Sequence, residues 1–178
     1  MPRRYAGRVN AVFDLRQLRL RPGEVRRERL ELELDPFLLG GQRYDADPAT
    51  VATELEIAQP SGPMLLDLRA HVHLAGPCMR CLGEAQLDVE VAAREFDDPD
   101  APAGDELRSD YVVDGRLQVG AWLRDATALE IPDRILCRPG CAGLCPVCGR
   151  DLNVDPHEHE GGELDPRWAA LADLREEL

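Results

Sequence analysis

Strict alternation of apolar and polar residues marks the most regular part of this chain. Leu66, Leu68, Ala70, Val72 and Leu74 are interleaved with Asp67, Arg69, His71 and His73. Further on, Leu87, Val89, Val91 and Ala93 are interleaved with Asp88, Glu90 and Ala92. A period of two puts one set of side chains on a buried face and the other in water, so the two runs predict strands of one long antiparallel hairpin. Between them lies Cys78-Met79-Arg80-Cys81, which the pairing places at the hairpin tip. Leu30-Glu31-Leu32-Glu33-Leu34 repeats the pattern and stops at Asp35-Pro36, while residues 51–58 predict another strand, ended by Pro60-Ser61-Gly62-Pro63.

The periodicity then changes. Residues 97–110 carry Asp, Glu, Pro and Gly without a repeat, which predicts an exposed loop. Tyr111–Gly115 predicts a short strand and turn. Across residues 117–130, Leu117, Ala121, Leu123, Ala128 and Leu129 recur near 3.6, which predicts a helix ended by Pro132, with Trp122 as a core or half-buried residue. A second, short helix is expected after Asp165-Pro166, carrying Trp168, Leu171 and Leu174. The fold class expected is α+β: an antiparallel sheet with a long hairpin, one or two packed helices and a cysteine-rich metal-binding loop towards the C-terminus. The expected organisation is an Arg-rich arm over 1–29, a core domain over 30–153, and a polar linker with a short helix over 154–178.

Cysteine is the candidate chemistry. Cys137, Cys141, Cys145 and Cys148 follow the pair at the hairpin tip, and Cys-x-x-Cys lets two thiolates grip one tetrahedral ion at about 2.3 Å. In Cys145-Pro146-Val147-Cys148-Gly149 the proline pre-bends the loop and the glycine tolerates the positive φ of a tight knuckle. Met1-Pro2-Arg3-Arg4-Tyr5 leads into mixed polar sequence with no apolar leader run, so a reducing cytoplasm and a structural Zn²⁺ are expected in place of disulfides. Six thiols exceed the four one ion takes. Three sets fit: Cys78, Cys81, Cys145 and Cys148; Cys137, Cys141, Cys145 and Cys148; or Cys78, Cys81, Cys137 and Cys141. The last four cysteines close the shortest loops, but the two Cys-x-x-Cys pairs together have the more usual geometry and would staple the hairpin tip to the C-terminal segment. That set is the one favoured, with Cys137 and Cys141 as replacement ligands or buried thiols.

Other chemistries find less support. Cys141-x3-Cys145-x2-Cys148 matches the spacing of radical iron–sulfur enzymes, but no βαβ repetition precedes it and only 30 residues follow. Neither Cys-x-x-Cys lies between a strand and a helix as a thiol redox site requires. Phosphate loops, nucleophile elbows and paired-carboxylate constellations are missing from the sequence, so no enzyme is predicted. The four histidines, including His157 and His159 in a Gly-rich polar stretch, are expected as solvated surface residues. No run approaches the roughly 18 apolar residues of a membrane span.

Charge is unevenly placed. Residues 1–30 hold nine arginines against Asp14, Glu24 and Glu28, a net of +6, so the rest of the −13 chain carries −19. The body should repel phosphate backbones and suit basic proteins; only the arm could attract RNA, and eight aromatics without an RNP-like run add nothing to that.

Cys78-x-Arg80-Cys81-Leu82, the segment Leu129-Glu130-Ile131-Pro132, and Cys137…Cys141-Ala142-Gly143-Leu144-Cys145-Pro146-x-Cys148-Gly149-x-Asp151-Leu152-Asn153 resemble the bacterial YceD family, described as large ribosomal RNA subunit accumulation proteins. The resemblance implies a cytoplasmic, non-enzymatic role in accumulation of large-subunit ribosomal RNA. It implies as partner a large-subunit ribosomal protein or an assembly intermediate. A weak ribosomal RNA contact through the Arg-rich arm, or direct RNA binding by it, is the alternative.

Overall fold

The computed structural model describes residues 12–102 and 104–159. Their regular structure is mostly antiparallel sheet. In chain order the elements are β1 (Val12–Asp14), a 3-10 turn (Leu15–Gln17), β2 (Val25–Glu33), β3 (Phe37–Leu39), β4 (Gln42–Ala46), β5 (Thr50–Ala58), β6 (Met64–Pro77), β7 (Glu84–Asp97), β8 (Val112–Val113), β9 (Arg116–Gln118) and α1 (Val119–Glu130).

The predicted hairpin is the spine of the molecule. β6 and β7 pair in unbroken register from Met64↔Asp97 to Pro77↔Glu84. On its other edge β6 pairs first with β5, from Ala58↔Leu65 to Thr53↔Ala70, and then with β4 at Ala46↔Leu74 and Asp45↔Ala75. β2 extends the sheet beyond β5, and β3 extends it beyond β4. Leu66, Leu68, Val72 and Leu74 are all sealed from solvent, with Leu55 and Ile57 of β5 beside them. The opposite face is a lattice of charges, with Arg27 on Glu56 at 2.6 Å, Arg29 on Glu54 at 3.2 Å and Arg94 on Asp67 at 2.8 Å. Such exposed pairs order the surface but add little stability, typically ~0–1 kcal/mol each.

α1 covers the apolar face against β7 and β6, and a small sheet of β1, β9 and β8 leads into it. Val119, Trp122, Leu123, Ala126 and Thr127 point inward. The helix therefore begins later and faces differently from the sequence expectation. Leu117 belongs to β9, paired with Phe13, and Ala121, Ala128 and Leu129 are exposed. Trp122 is in the core as expected, stacked on Tyr111 at 6.1 Å. One helix, not two, lies among the described residues; the helix expected after Asp165 lies outside them.

A further correction concerns residues 12–29, which are part of the fold. β1 pairs with β9, and β2 starts at Val25, so Arg26, Arg27 and Arg29 belong to a sheet strand with Glu28, Glu56 and Glu54 as ion-pair partners. The remaining stretch of the predicted arm, residues 1–11, lies outside the described residues.

Tyr44 fastens the hairpin tip. Its ring is fully buried against Gly76 and its hydroxyl donates to the Pro77 carbonyl at 2.7 Å. A Cβ on Gly76 would meet that ring and lie 2.7 Å from the Arg43 carbonyl oxygen, so β4 approaches β6 here only because residue 76 lacks one.

Candidate metal centre

The tip of the β6–β7 hairpin folds as a knuckle. The Cys78 N–H donates to the Gly83 carbonyl at 2.6 Å, the Leu82 N–H donates to the Cys78 carbonyl at 3.0 Å, and Leu82 takes φ of 61° to close the turn. The Arg80 N–H points at the Cys78 sulfur, 3.4 Å away. After α1 the chain returns across this tip. The Met79 N–H donates to the Ile135 carbonyl at 2.9 Å, and the Leu144 N–H donates to the Arg80 carbonyl at 3.1 Å. Gly143 has φ of +83°, and a Cβ there would press on Arg80 at 3.2–3.3 Å, so the glycine lets the two segments touch.

This crossing brings Cys137 and Cys141 onto Cys78 and Cys81. The Cys78 and Cys141 sulfurs are 3.8 Å apart, those of Cys81 and Cys137 are 3.7 Å apart, and all four lie within 4.8 Å of one another. Zn–S bonds of about 2.3 Å in a tetrahedron give sulfur–sulfur edges of about 3.8 Å. The quartet thus has the size and donors of a structural site that could hold a metal ion. Cys78 and Cys141 are buried, Cys81 is half-buried and Cys137 is exposed.

Asn153 supports the quartet from behind. Its Oδ1 accepts from the Ala142 N–H at 2.8 Å and from Arg138 Nη2 at 2.7 Å. Its Nδ2 donates to Asp151 Oδ1 at 2.6 Å and lies 3.5 Å from the Cys141 sulfur. A donor held against a thiolate both orients it and stabilises its charge.

Cys145 and Cys148 form a second knuckle facing elsewhere. The Gly149 N–H donates to the Cys145 carbonyl and the Cys145 N–H to the Arg150 carbonyl, each at 2.8 Å, with Gly149 at φ of +72°. The donor atoms gathered with them, again within 4.8 Å, belong to His157 and His159. His157 Nε2 is 3.1 Å from the Cys148 sulfur, while its Nδ1 hydrogen-bonds the Asp155 carbonyl at 2.7 Å.

The whole-chain comparisons agree with the motif. A family model described as large ribosomal RNA subunit accumulation protein YceD matches residues 66–175. The chain belongs to the YceD family. An uncharacterized protein of Mycobacterium tuberculosis is 33% identical over 167 residues, 90% of this chain and 79% of its own length. An uncharacterized protein of Mycobacterium leprae is 30% identical across 92% of this chain and 76% of its own length. The uncharacterized protein YlbN of Bacillus subtilis is 30% identical over 118 residues, 64% of this chain and 62% of its own length. No solved structure matches.

In this YceD-family chain the favoured ligand set, Cys78 and Cys81 with Cys145 and Cys148, is not brought together. The partners of the hairpin tip are Cys137 and Cys141, which had the weaker claim on spacing alone. His157 and His159, expected simply as solvated, stand beside two thiols, and His157 is half-buried there. Asn153 was visible only as the end of the Asp-Leu-Asn run.

In each cluster one thiol is poised to ionise while a neighbour holds its proton more tightly. Burial works against a charged Cys78, but N–H groups of Cys81, Arg80 and Cys137 outweigh it and bring the thiol down to about 6. Cys137 is pushed up to about 12, by desolvation first and then by the neighbouring sulfurs, since several adjacent thiolates cannot ionise without a counter-charge. Cys145 is held at about 6, mainly by the Cys148 N–H. His157 is raised, first by its bond to the Asp155 carbonyl and then by Cys145. Among the described residues no helix is long and apolar enough to cross a membrane.

Proposed function

We propose that Cys78, Cys81, Cys137 and Cys141 hold a structural Zn²⁺, and that the protein is a cytoplasmic, non-enzymatic factor that supports accumulation of large-subunit ribosomal RNA through contacts with a ribosomal protein or assembly intermediate. Four thiolates with tetrahedral spacing are the donor set of a closed structural site, with no position left for a substrate or water. The metal ties the hairpin tip to the segment that follows α1. The family description carries the ribosomal part of this reading.

One observation favours protein contacts over direct RNA binding. Arg16, Arg26, Arg27 and Arg29 are all engaged with carboxylates of the fold, which leaves fewer free cations near the N-terminus than the sequence suggests. Asp100, Asp105, Glu106 and Asp110, by contrast, stand exposed on the loop after β7, where they would attract a basic protein and repel phosphate.

Depletion tests the role. Cells lacking the protein should show less mature large-subunit RNA relative to small-subunit RNA, and the tagged protein should co-sediment with large-subunit precursors. Removing residues 1–8 should weaken this association at low salt and leave it near physiological salt. Loss of binding at every salt concentration, or loss of every partner on nuclease treatment, would establish the direct RNA-binding alternative instead.

A further inference from the structure

The second knuckle is not absorbed by this reading, which needs only one ion. We infer that Cys145, Cys148, His157 and His159 form a second, independent zinc site, more exposed and more exchangeable than the all-cysteine site. Two thiolates and two imidazoles are a complete tetrahedral ligand set for Zn²⁺. Their donor atoms already lie within 4.8 Å of one another.

The arrangement is built, not a chance proximity of side chains. The Cys145–Cys148 turn is closed by its own backbone bonds and by Gly149 in the left-handed region. His157 is held by the bond between Nδ1 and the Asp155 carbonyl, which leaves Nε2 as the free lone pair, directed to Cys148. Ligating histidines are oriented in this way, through their second nitrogen. Asp155 is anchored in turn, its carboxylate on Arg150 at 3.0 Å and its N–H on the Asp151 carbonyl at 3.0 Å. The 3.1 Å gap between Cys148 and His157 lies within half an ångström of the roughly 3.5 Å edge of a tetrahedron with about 2.3 Å Zn–S and 2.0–2.1 Å Zn–N bonds.

The two sites share the short run from Cys141 to Cys145 but no ligand, and their surroundings differ. The first has two buried ligands and one exposed, Cys137, whereas the second has only Cys145 buried and both Cys148 and His159 exposed. Water and competing chelators therefore reach the second ion first. Its ligation adds His157 and His159 as direct links between residues 155–159 and the knuckle, beside the bonds that already hold Asp155.

The test uses the full chain purified under reducing conditions with Zn²⁺ as the only added metal. Elemental analysis should find two zinc ions per chain, and X-ray absorption an average of three sulfurs and one nitrogen per zinc. His157→Ala/His159→Ala should retain one zinc with an all-sulfur shell and an unchanged circular dichroism spectrum. Cys148→Ala, in case the histidine pair disturbs folding, should likewise lose one ion. EDTA should strip one equivalent from the wild type at least tenfold faster than the other. A single all-sulfur zinc in the wild type, a Cys145–Cys148 disulfide persisting in reductant, or retention of both ions by the histidine variant would overturn the assignment. Loss of the all-cysteine site alone would count against the structural zinc proposed above and leave this one standing.

Discussion

Asn153→Ala is the sharpest probe of the all-cysteine site, because it alters no ligand. The substitution removes the acceptor for the Ala142 N–H at 2.8 Å and the donor 3.5 Å from the Cys141 sulfur. A hydrogen bond to a charged group is worth ~1.5–3 kcal/mol, and one between neutral groups ~0.5–1.5 kcal/mol. Asn153 is only half-buried, so water replaces much of its bonds to Ala142, Arg138 and Asp151, and the thiolate contact dominates the effect on the metal at about 1.5–2 kcal/mol. At about 1.4 kcal/mol per decade that is roughly 10–30-fold in zinc affinity. The range sits inside the ~10–100-fold usual for removing a group that supports a metal ligand. Competition against a chromogenic chelator, in a His157→Ala/His159→Ala background so that only the first site reports, measures it. Asn153→Asp should lose more, since it sets a carboxylate beside thiolates. An affinity within threefold of the parent for Asn153→Ala would show that the amide neither orients nor stabilises Cys141.

Three other outcomes follow from the fold. Gly76→Ala should destabilise the protein by about 2–3 kcal/mol in urea titration, because the new methyl group meets backbone and a buried ring that have no room to move. Trp122→Ala should cost ~3–5 kcal/mol by the same measurement, the price of emptying a site where the side chain is 2% exposed. His71 hydrogen-bonds Glu90 and Asp88, which raise its pKa above the usual 6.5 in the folded state; the stabilisation is full below pH 6.5 and fades as pH rises through the raised value. His71→Gln should flatten the stability–pH curve across that window, and an unchanged slope would show that the imidazole is free.

The hairpin was readable because β6 and β7 are buried on one face only, so alternation reports burial directly; Leu66 to Leu74 and Val89 to Val91 lie where the pattern puts them. The helix was readable in extent but less so in facing, since Leu117 is claimed by pairing with β1 and Leu129 is left in water. β3 and β4 went unread: strands of three and five residues joined at Gly40-Gly41 are too short to show a period. β1, three residues long, is also too short to show a period, and the start of β2 was hidden by Arg26, Arg27 and Arg29. The metal-ligand partition could not come from spacing. It depends on the return of the chain across the hairpin tip, made by backbone bonds such as Met79 to Ile135, which leave no trace in residue type. Only Gly143, the residue that permits the crossing, marks the place.

Among the described residues β2 has β5 on one side and no strand on the other, so it presents a row of unpaired backbone groups along nine residues. Such an edge invites a second chain to dock and grow into a ribbon. Arg26, Arg27, Glu28, Arg29, Glu31 and Glu33 line it, and a chain that docks there must strip water from these charges and from the ion pairs that Arg27 and Arg29 already make. The same arginines that look like an RNA-binding tail thus guard against self-association. Replacing them with threonine would leave the fold nearly as stable and the solution far less clear.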